Sequence, residues 1–206
     1  MRSSSRRPRN SDWDIPDRSP VVAVYDANVL YPAPIRDILI RLARAGLVGA
    51  RWTKTIQEEW ISNLLEDRPD LTLQHLLRTR GMMEEAVPGA VVEGYERHIP
   101  ALQLPDPDDR HVLAAAIEAK AAIIVTANIK DFPISVVSRY GIDVEHPDDF
   151  VLRLMAVDPE LVYAAARAQR TNLRRPALSV DEYLTNLRKV RLRRTADALQ
   201  AVAYLL

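Results

Sequence analysis

Residues 104–116 read LPDPDDRHVLAAA, and residues 121–126 read AAIIVT. The first stretch holds three carboxylates and then apolar residues at helical spacing, which predicts a helix that begins just after Asp109. The second predicts a short buried strand that ends at Thr126. Acids at a helix start complement the helix macrodipole, which is a purely structural explanation for them. A helix start and a strand end can also lie at one edge of an α/β sheet, where ligand sites usually form.

A second apolar run, residues 21–25, predicts another buried strand, and it ends at Asp26. Residues 47–52 and 141–144 predict further short strands, and amphipathic helical patterns separate all of these runs. Strands that alternate with helices favour a parallel sheet with crossover connections. The predicted fold class is therefore α/β, with a parallel β-sheet flanked by helices.

The C-terminal part of the chain has a purely helical pattern. It starts after Asp158, breaks near Pro176, and resumes with a helix that begins at Ser179 and is predicted to continue to the end of the chain. We predict three parts: a flexible, arginine-rich segment over residues 1–20, an α/β domain over residues 21–150, and a helical C-terminal extension over residues 151–206.

Composition restricts the classes of function. The 206 residues carry 28 basic and 28 acidic side chains, so the chain is not a generally nucleic-acid-coating protein, although a local basic groove remains compatible with neutrality. There is no cysteine, which excludes disulfides, a thiol nucleophile and Cys-ligated zinc. No run of about 18 apolar residues is present, so we expect no membrane span and a cytoplasmic location.

Carboxylates from separate segments are the candidate catalytic and metal-binding residues. They are Asp26, Glu59, Asp109 and Asp131. Such hard oxygen ligands suit Mg²⁺ or Mn²⁺ rather than zinc, and metal sites of this kind serve phosphodiester cleavage. Whether one or two ions bind stays open. Glu58 is a rival to Glu59, which we favour because it is nearer the apolar face of its helix.

Each candidate also has a structural explanation. Asp26 and Asn28 are residues common in turns, and Glu59 is also explained as a solvated helix residue. The histidines are scattered along the chain, so the sequence assigns them no role. The arginines at 36, 110 and 139 and the basic run over residues 188–194 are read first as surface charge and second as contacts to a phosphate backbone.

Four short motifs, in this order, resemble those of PIN-domain ribonucleases. They are Asp26-Ala27-Asn28-Val29-Leu30, the helical Glu59, Asp109 before an Ala-rich helix, and Thr126-Ala127-Asn128-Ile129-Lys130-Asp131-Phe132. The last motif departs from the family pattern because Asn128 stands where the family often has an aspartate. The resemblance covers roughly residues 21–150.

The resemblance implies a Rossmann-like parallel sheet and a Mg²⁺- or Mn²⁺-dependent endoribonuclease. Such proteins often act as the toxin of a bacterial toxin–antitoxin pair, so it also implies an RNA substrate, an antitoxin partner and a homodimer. It assigns catalytic and metal-binding roles to Asp26, Glu59, Asp109 and Asp131. Supporting roles fall to Asn28, Asp106, Thr126 and Asn128. The helical extension lies outside the usual short toxin.

Two alternative functions remain open from the sequence. The first is a non-catalytic binding module with the PIN fold. The feature that supports it is Asn128, which stands where the family often has an aspartate. A phosphatase of the haloacid dehalogenase type also uses an aspartate at a strand end, but it requires a second aspartate two residues later, where this chain has Asn28.

Overall fold

A computed structural model describes residues 19–173 and 177–206. Within these residues the strands are β1 (Val21–Tyr25), β2 (Val48–Arg51), β3 (Ile123–Val125) and β4 (Asp143–Glu145). The α-helices are α1 (Ala27–Leu30), α2 (Ala33–Arg44), α3 (Lys54–Asp67), α4 (Leu73–Ala86), α5 (Arg110–Glu118), α6 (Ile134–Val137), α7 (Pro147–Val157), α8 (Pro159–Asn172), α9 (Val180–Lys189) and α10 (Arg193–Gln200). Short 3-10 helices cover Tyr95–Ala101, Ile129–Asp131, Ser138–Tyr140 and Ala203–Leu205.

The described strands form one parallel sheet in the order β2-β1-β3-β4. This confirms the predicted α/β class with a parallel sheet flanked by helices. The strand predicted at residues 141–144 begins two residues later, because Gly141 has a φ of 69° and ends the preceding turn in the left-handed region. The predicted flexible segment falls almost entirely on residues 1–18, which lie outside the described residues.

Apolar residues cover both faces of the sheet. All of β3 is buried, and so are the last three residues of β1. Tyr25 packs edge-on against Phe150 of α7 at a ring-centroid distance of 6.2 Å and stacks near Trp52 at 6.5 Å. Burial on both faces is typical of parallel sheets and explains why β1 and β3 are continuous apolar runs rather than alternating ones.

Capping residues fix where several helices begin. The Thr53 hydroxyl accepts the Ile56 N–H at 3.0 Å and starts α3. Ser179 and Glu182 form a reciprocal capping box at the start of α9. The start at Ser179 agrees with the sequence prediction.

The prediction of one continuous helix from Ser179 to the end of the chain is wrong. The chain turns between α9 and α10, where Arg191 has a φ of 67°. The turn brings Leu192 into the core, where it is fully buried. Burial of this leucine therefore overrides the helical propensity of the segment.

The C-terminal helices pack against the α/β part of the chain. Gln169 of α8 is buried, donates to the Pro34 carbonyl at 2.8 Å, and accepts from the Tyr183 hydroxyl at 2.8 Å. One side chain thus joins α8, α2 and α9. Among the described residues, no helix has the length and apolar character that a membrane crossing requires.

Candidate active site

The carboxyl ends of β1 and β3 meet at one edge of the sheet. The two strands are neighbours, and the Asp26 N–H donates to the Val125 carbonyl at 3.1 Å. Since β2 lies on one side of β1 and β3 on the other, this edge is the point where the strand order reverses. Ligands of open α/β sheets bind at such a position.

Asp26 is held in a network with Asn28 and Thr126. Its Oδ2 accepts the Thr126 hydroxyl at 2.7 Å and the Asn28 amide at 2.5 Å. The same amide reaches Thr126 Oγ1 at 2.9 Å, and Asn28 Oδ1 accepts the Ala127 N–H at 2.9 Å. Asn28 and Thr126 therefore fix the Asp26 carboxylate and tie the ends of β1 and β3 together.

Burial dominates the electrostatics of Asp26. The residue is only 4% exposed, and loss of solvation raises the pKa of its carboxyl, while the bond from Thr126 opposes the shift. The negative charge of Glu59 raises this pKa further, which places α3 close to the strand ends.

Glu59 projects from α3 towards α5. Its Oε1 lies 2.9 Å from Nε2 of His111, which stands in the first turn of α5. The preceding residue, Glu58, is exposed. The structure thus directs Glu59, and not Glu58, towards the strand ends.

His111 is a site residue that sequence reasoning did not identify. Its side chain is only 12% exposed, and in its protonated form it lowers the pKa of both Asp26 and Asp109. The available signal was its position two residues after Asp109, at the start of the same helix. That signal is weak, because the histidines otherwise follow no pattern.

Asp109 precedes α5 and makes no side-chain capping bond to it. The pKa of its carboxyl is raised from 3.8 to about 6, first by partial burial and then by the charges of Asp26, Asp106 and Asp131. A carboxylate at a helix start normally gains from the macrodipole. Here burial, together with repulsion from the other acids, outweighs that gain, and the repulsion shows that these carboxylates lie close enough to interact.

The remaining predicted positions lie at the rim of this cluster. Asp131 ends a 3-10 turn and is half-buried. Asp106 is exposed, and its Oδ1 accepts the Asp108 N–H at 2.9 Å, which shapes the loop before α5. Asn128 is exposed, and its backbone N–H donates to Thr126 Oγ1 at 3.0 Å. The roles predicted for these residues stay predictions.

Arg36 contacts the end of α1 and the ring of Trp60. Its guanidinium donates to the carbonyls of Leu30 and Tyr31 at the end of α1 and lies 4.7 Å from the ring centre of Trp60. Burial lowers its pKa to about 10, so it remains charged at neutral pH. Arg36 thus caps α1, the helix that directly follows Asp26, and its side chain is turned inward rather than towards a nucleic acid.

The donor chemistry of the cluster fits a hard divalent cation. As the side chains stand, no three His, Asp or Glu residues in the described ranges form a group that could hold an ion. Glu59 Oε1 contacts His111, and Asp26 Oδ2 accepts two hydrogen bonds. However, burial and then repulsion from the other acids raise the pKa of Asp109, and a cation would relieve that repulsion.

Comparison with known proteins identifies the family. Residues 22–130 match the family described as PIN domain. The chain belongs to the PIN-domain family. Residues 147–201 match a second family, described as VapC50 C-terminal domain. The matched PIN-domain range therefore contains β1 from its second residue, all of β3 and every candidate acid except Asp131, which follows the range directly.

A curated relative matches over a short stretch. It is named "Putative ribonuclease VapC50", comes from Mycobacterium tuberculosis (strain ATCC 25618 / H37Rv), and is 54% identical over 44 residues. The match spans 21% of this chain and 26% of that protein, so it covers about a quarter of the relative's length. No solved structure matched the chain significantly.

Proposed function

We propose that this PIN-domain protein is a metal-dependent endoribonuclease that hydrolyses RNA phosphodiester bonds. The observation that carries the proposal is the carboxylate cluster at the switch point of the sheet, where burial and then the charges of Asp26, Asp106 and Asp131 raise the pKa of Asp109. A mutually repulsive set of acids around the buried Asp26 costs folding free energy, and strongly perturbed groups of this kind mark functional sites. The name of the M. tuberculosis relative supports the same activity.

The residues would divide the work as follows. Asp26, Glu59, Asp109 and Asp131 would hold Mg²⁺ or Mn²⁺, through carboxylate oxygens that suit either ion. When bound, the ion supplies electrostatic stabilisation of the phosphate and an activated water. The bonds from Asn28 and Thr126 fix the plane of the Asp26 carboxylate and leave its Oδ1 free of hydrogen bonds from either residue. His111 orients Glu59.

The test is cleavage of single-stranded RNA with and without the ion. We expect cleavage with Mg²⁺ or Mn²⁺, none with a chelator, and a loss of at least about a hundredfold in Asp26→Asn and in Asp109→Asn. Glu58→Gln is the matched control for Glu59→Gln, since the exposed Glu58 is one residue away. Full cleavage by both aspartate variants would refute the assignment.

Two measurements distinguish the proposed ribonuclease from the two alternative functions. A non-catalytic binding module predicts no Mn²⁺ binding at millimolar concentration in a calorimetric titration. A haloacid-dehalogenase-type phosphatase predicts release of phosphate from a generic phosphoester. Position 28 does not favour the phosphatase, because the Asn28 amide donates a hydrogen bond to Asp26 and has no carboxylate to act as an acid.

We further propose that the protein is a cytoplasmic toxin with an antitoxin partner and that it forms a homodimer. A groove of about 720 Å³ between α2, α4 and α9 would receive an apolar antitoxin segment, and Met82, which lines it, is 56% exposed. Expression in bacteria should arrest growth, and Asp26→Asn should abolish the arrest. Co-expressed antitoxin should restore growth to cells that carry the wild-type protein, and sedimentation should give the mass of a dimer.

A further inference from the structure

The turn between α9 and α10 carries a concentration of positive charge. From Tyr183 to the end of the sequence there are five basic residues, all within positions 188–194, and one acid, Asp197. Arg188 pairs with Asp197 at 2.9 Å, and Arg194 pairs with Asp149. The three remaining cations are exposed and have no ion pair with any residue that the structure describes: Lys189, Arg191 and Arg193. We call these three residues the basic turn.

The basic turn is fixed at the same edge of the sheet as the acid cluster. The N–H groups of Arg194 and Thr195 donate to the buried Asp148 carboxylate at 2.9 and 2.8 Å. Asp148 comes three residues after the end of β4, and the carbonyl of Glu145, the last residue of β4, accepts the Thr126 N–H at 3.0 Å. Thr126 in turn donates to Asp26. A short chain of bonds therefore connects the basic turn to the candidate active site.

The local backbone is held in place even though its side chains are exposed. Leu192 is fully buried and Thr195 is 1% exposed, so the turn is anchored on both sides of Arg193. Arg191 adopts a left-handed φ of 67°, a backbone conformation that is strained for a residue other than glycine. An arginine therefore occupies a position where glycine or asparagine would be less strained.

We propose that the basic turn binds the phosphate backbone of the RNA beside the bond that is cleaved. The inference rests on the proposed ribonuclease function and assigns part of the substrate interface to the C-terminal extension. The acid cluster itself repels phosphates, and the chain has no net charge to attract RNA from a distance. A fixed cluster of cations near the acids provides the missing attraction, because neutralised phosphates release their counterions.

The test compares two triple variants of the full-length protein. The first is Lys189→Gln/Arg191→Gln/Arg193→Gln. The control is Arg44→Gln/Lys120→Gln/Arg167→Gln, which removes the same charge from exposed residues. Arg44 and Lys120 lie just before β2 and β3 and hence at the opposite edge of the sheet, and Arg167 lies on α8. Equal thermal unfolding of both variants and wild type, followed by circular dichroism, establishes that each variant is folded.

The measurement is the affinity for a labelled single-stranded RNA of about 20 nucleotides, at several salt concentrations and with a chelator to prevent cleavage. Each phosphate contact on a single strand contributes about 0.7 to the slope of log K against log salt, so the first variant should lose about 2 from that slope. We expect affinity to fall at least tenfold at low salt in that variant and to stay within about twofold of wild type in the control.

The outcomes separate this inference from the proposed function. An unchanged salt slope in the first variant, or an equal loss in the control, overturns the inference even if wild type cleaves RNA. Binding of an acidic polyglutamate peptide of equal charge as tightly as RNA also overturns it, because the surface would then fit an acidic protein. If wild type fails to cleave any RNA but the slope falls as expected, the ribonuclease proposal fails and the RNA-binding surface stands.

Discussion

Replacing Asp109 by asparagine should stabilise the metal-free protein at neutral pH, although it removes a proposed catalytic residue. The pKa of this carboxyl is raised from 3.8 to about 6 by burial and by its acidic neighbours. For a fully buried group such a difference corresponds to about 3 kcal/mol. Asp109 is half-exposed, so solvent screening reduces the expected gain to about 1 kcal/mol.

The sign of the pH dependence follows from proton binding. Between about pH 4 and pH 6 the folded protein keeps a proton on Asp109 that the unfolded chain releases, so stability falls as the pH rises through this range. Below about pH 4 both states are protonated, and the variant should have no advantage there. Above about pH 6 the cost of the ionised carboxylate is complete, and the advantage of the variant should be constant.

Urea unfolding of wild type and Asp109→Asn, with a chelator present, measures this difference at about pH 4 and about pH 7.5. Asp108→Asn is the matched control: it makes the same chemical change one residue earlier at an exposed position, where we expect almost no effect. Added Mn²⁺ should stabilise wild type and reverse the order of the two proteins at neutral pH. Equal stability of wild type and Asp109→Asn at neutral pH without metal would refute the reasoning.

Three further substitutions test contacts around the site. Asn28→Ala removes three hydrogen bonds, two of which join the ends of β1 and β3, and should lower the free energy of unfolding by about 2 kcal/mol; a loss near zero in urea unfolding would contradict the role of this network. Arg36→Met leaves two carbonyls at the end of α1 without this donor and should cost about 2 kcal/mol, which a drop of several degrees in Tm would reveal and an unchanged Tm would disprove. Asp148→Ala frees the first N–H groups of α10 and should cost about 2 kcal/mol, with faster hydrogen exchange at the Thr195 amide; protection at that amide equal to wild type would argue against the contact.

The sheet was predictable because its signal is local. Residues 21–25 form a continuous apolar run with a polar residue directly after it, and burial on both faces of a parallel sheet requires such a run. The same reasoning located β3 and the start of α5. It could not order the strands, because pairing between β1 and β3 depends on contacts between residues about 100 positions apart.

Side-chain partners across the site were not predictable from the sequence. Helical periodicity favoured Glu59 over Glu58, but only the packing of α3 near α5 brings Glu59 to His111. Likewise, the sequence left Arg36 open as surface charge or a phosphate contact, whereas the structure turns it towards α1 and Trp60. The contacts of Glu59 and Arg36 depend on how the helices pack against the sheet. The spacing of apolar residues along the chain does not determine that packing.

In the C-terminal extension, the helical spacing of apolar residues predicts the wrong structure. Apolar residues after Ser179 recur at near-helical spacing, so a single helix was expected. The gain from burying Leu192 and from the bonds of Asp148 to the start of α10 favours a bend instead. Asp148 lies 46 positions before Arg194 in the sequence, and the burial of Leu192 depends on the packed core. A short window of sequence therefore shows neither contact.

The hydrogen bond between Thr126 and Asp26 also bears on when the site forms during protein synthesis. The two residues are 100 positions apart, so at about 5–20 residues per second the ribosome needs roughly 5–20 s after making Asp26 to reach its partner. Until then β1 can pair with β2 but not with β3, and the loop that delivers Asp131 does not yet exist. A nascent or terminated chain that ends before Thr126 therefore has no assembled acid cluster, which would keep a ribonuclease inert beside the messenger RNA that encodes it.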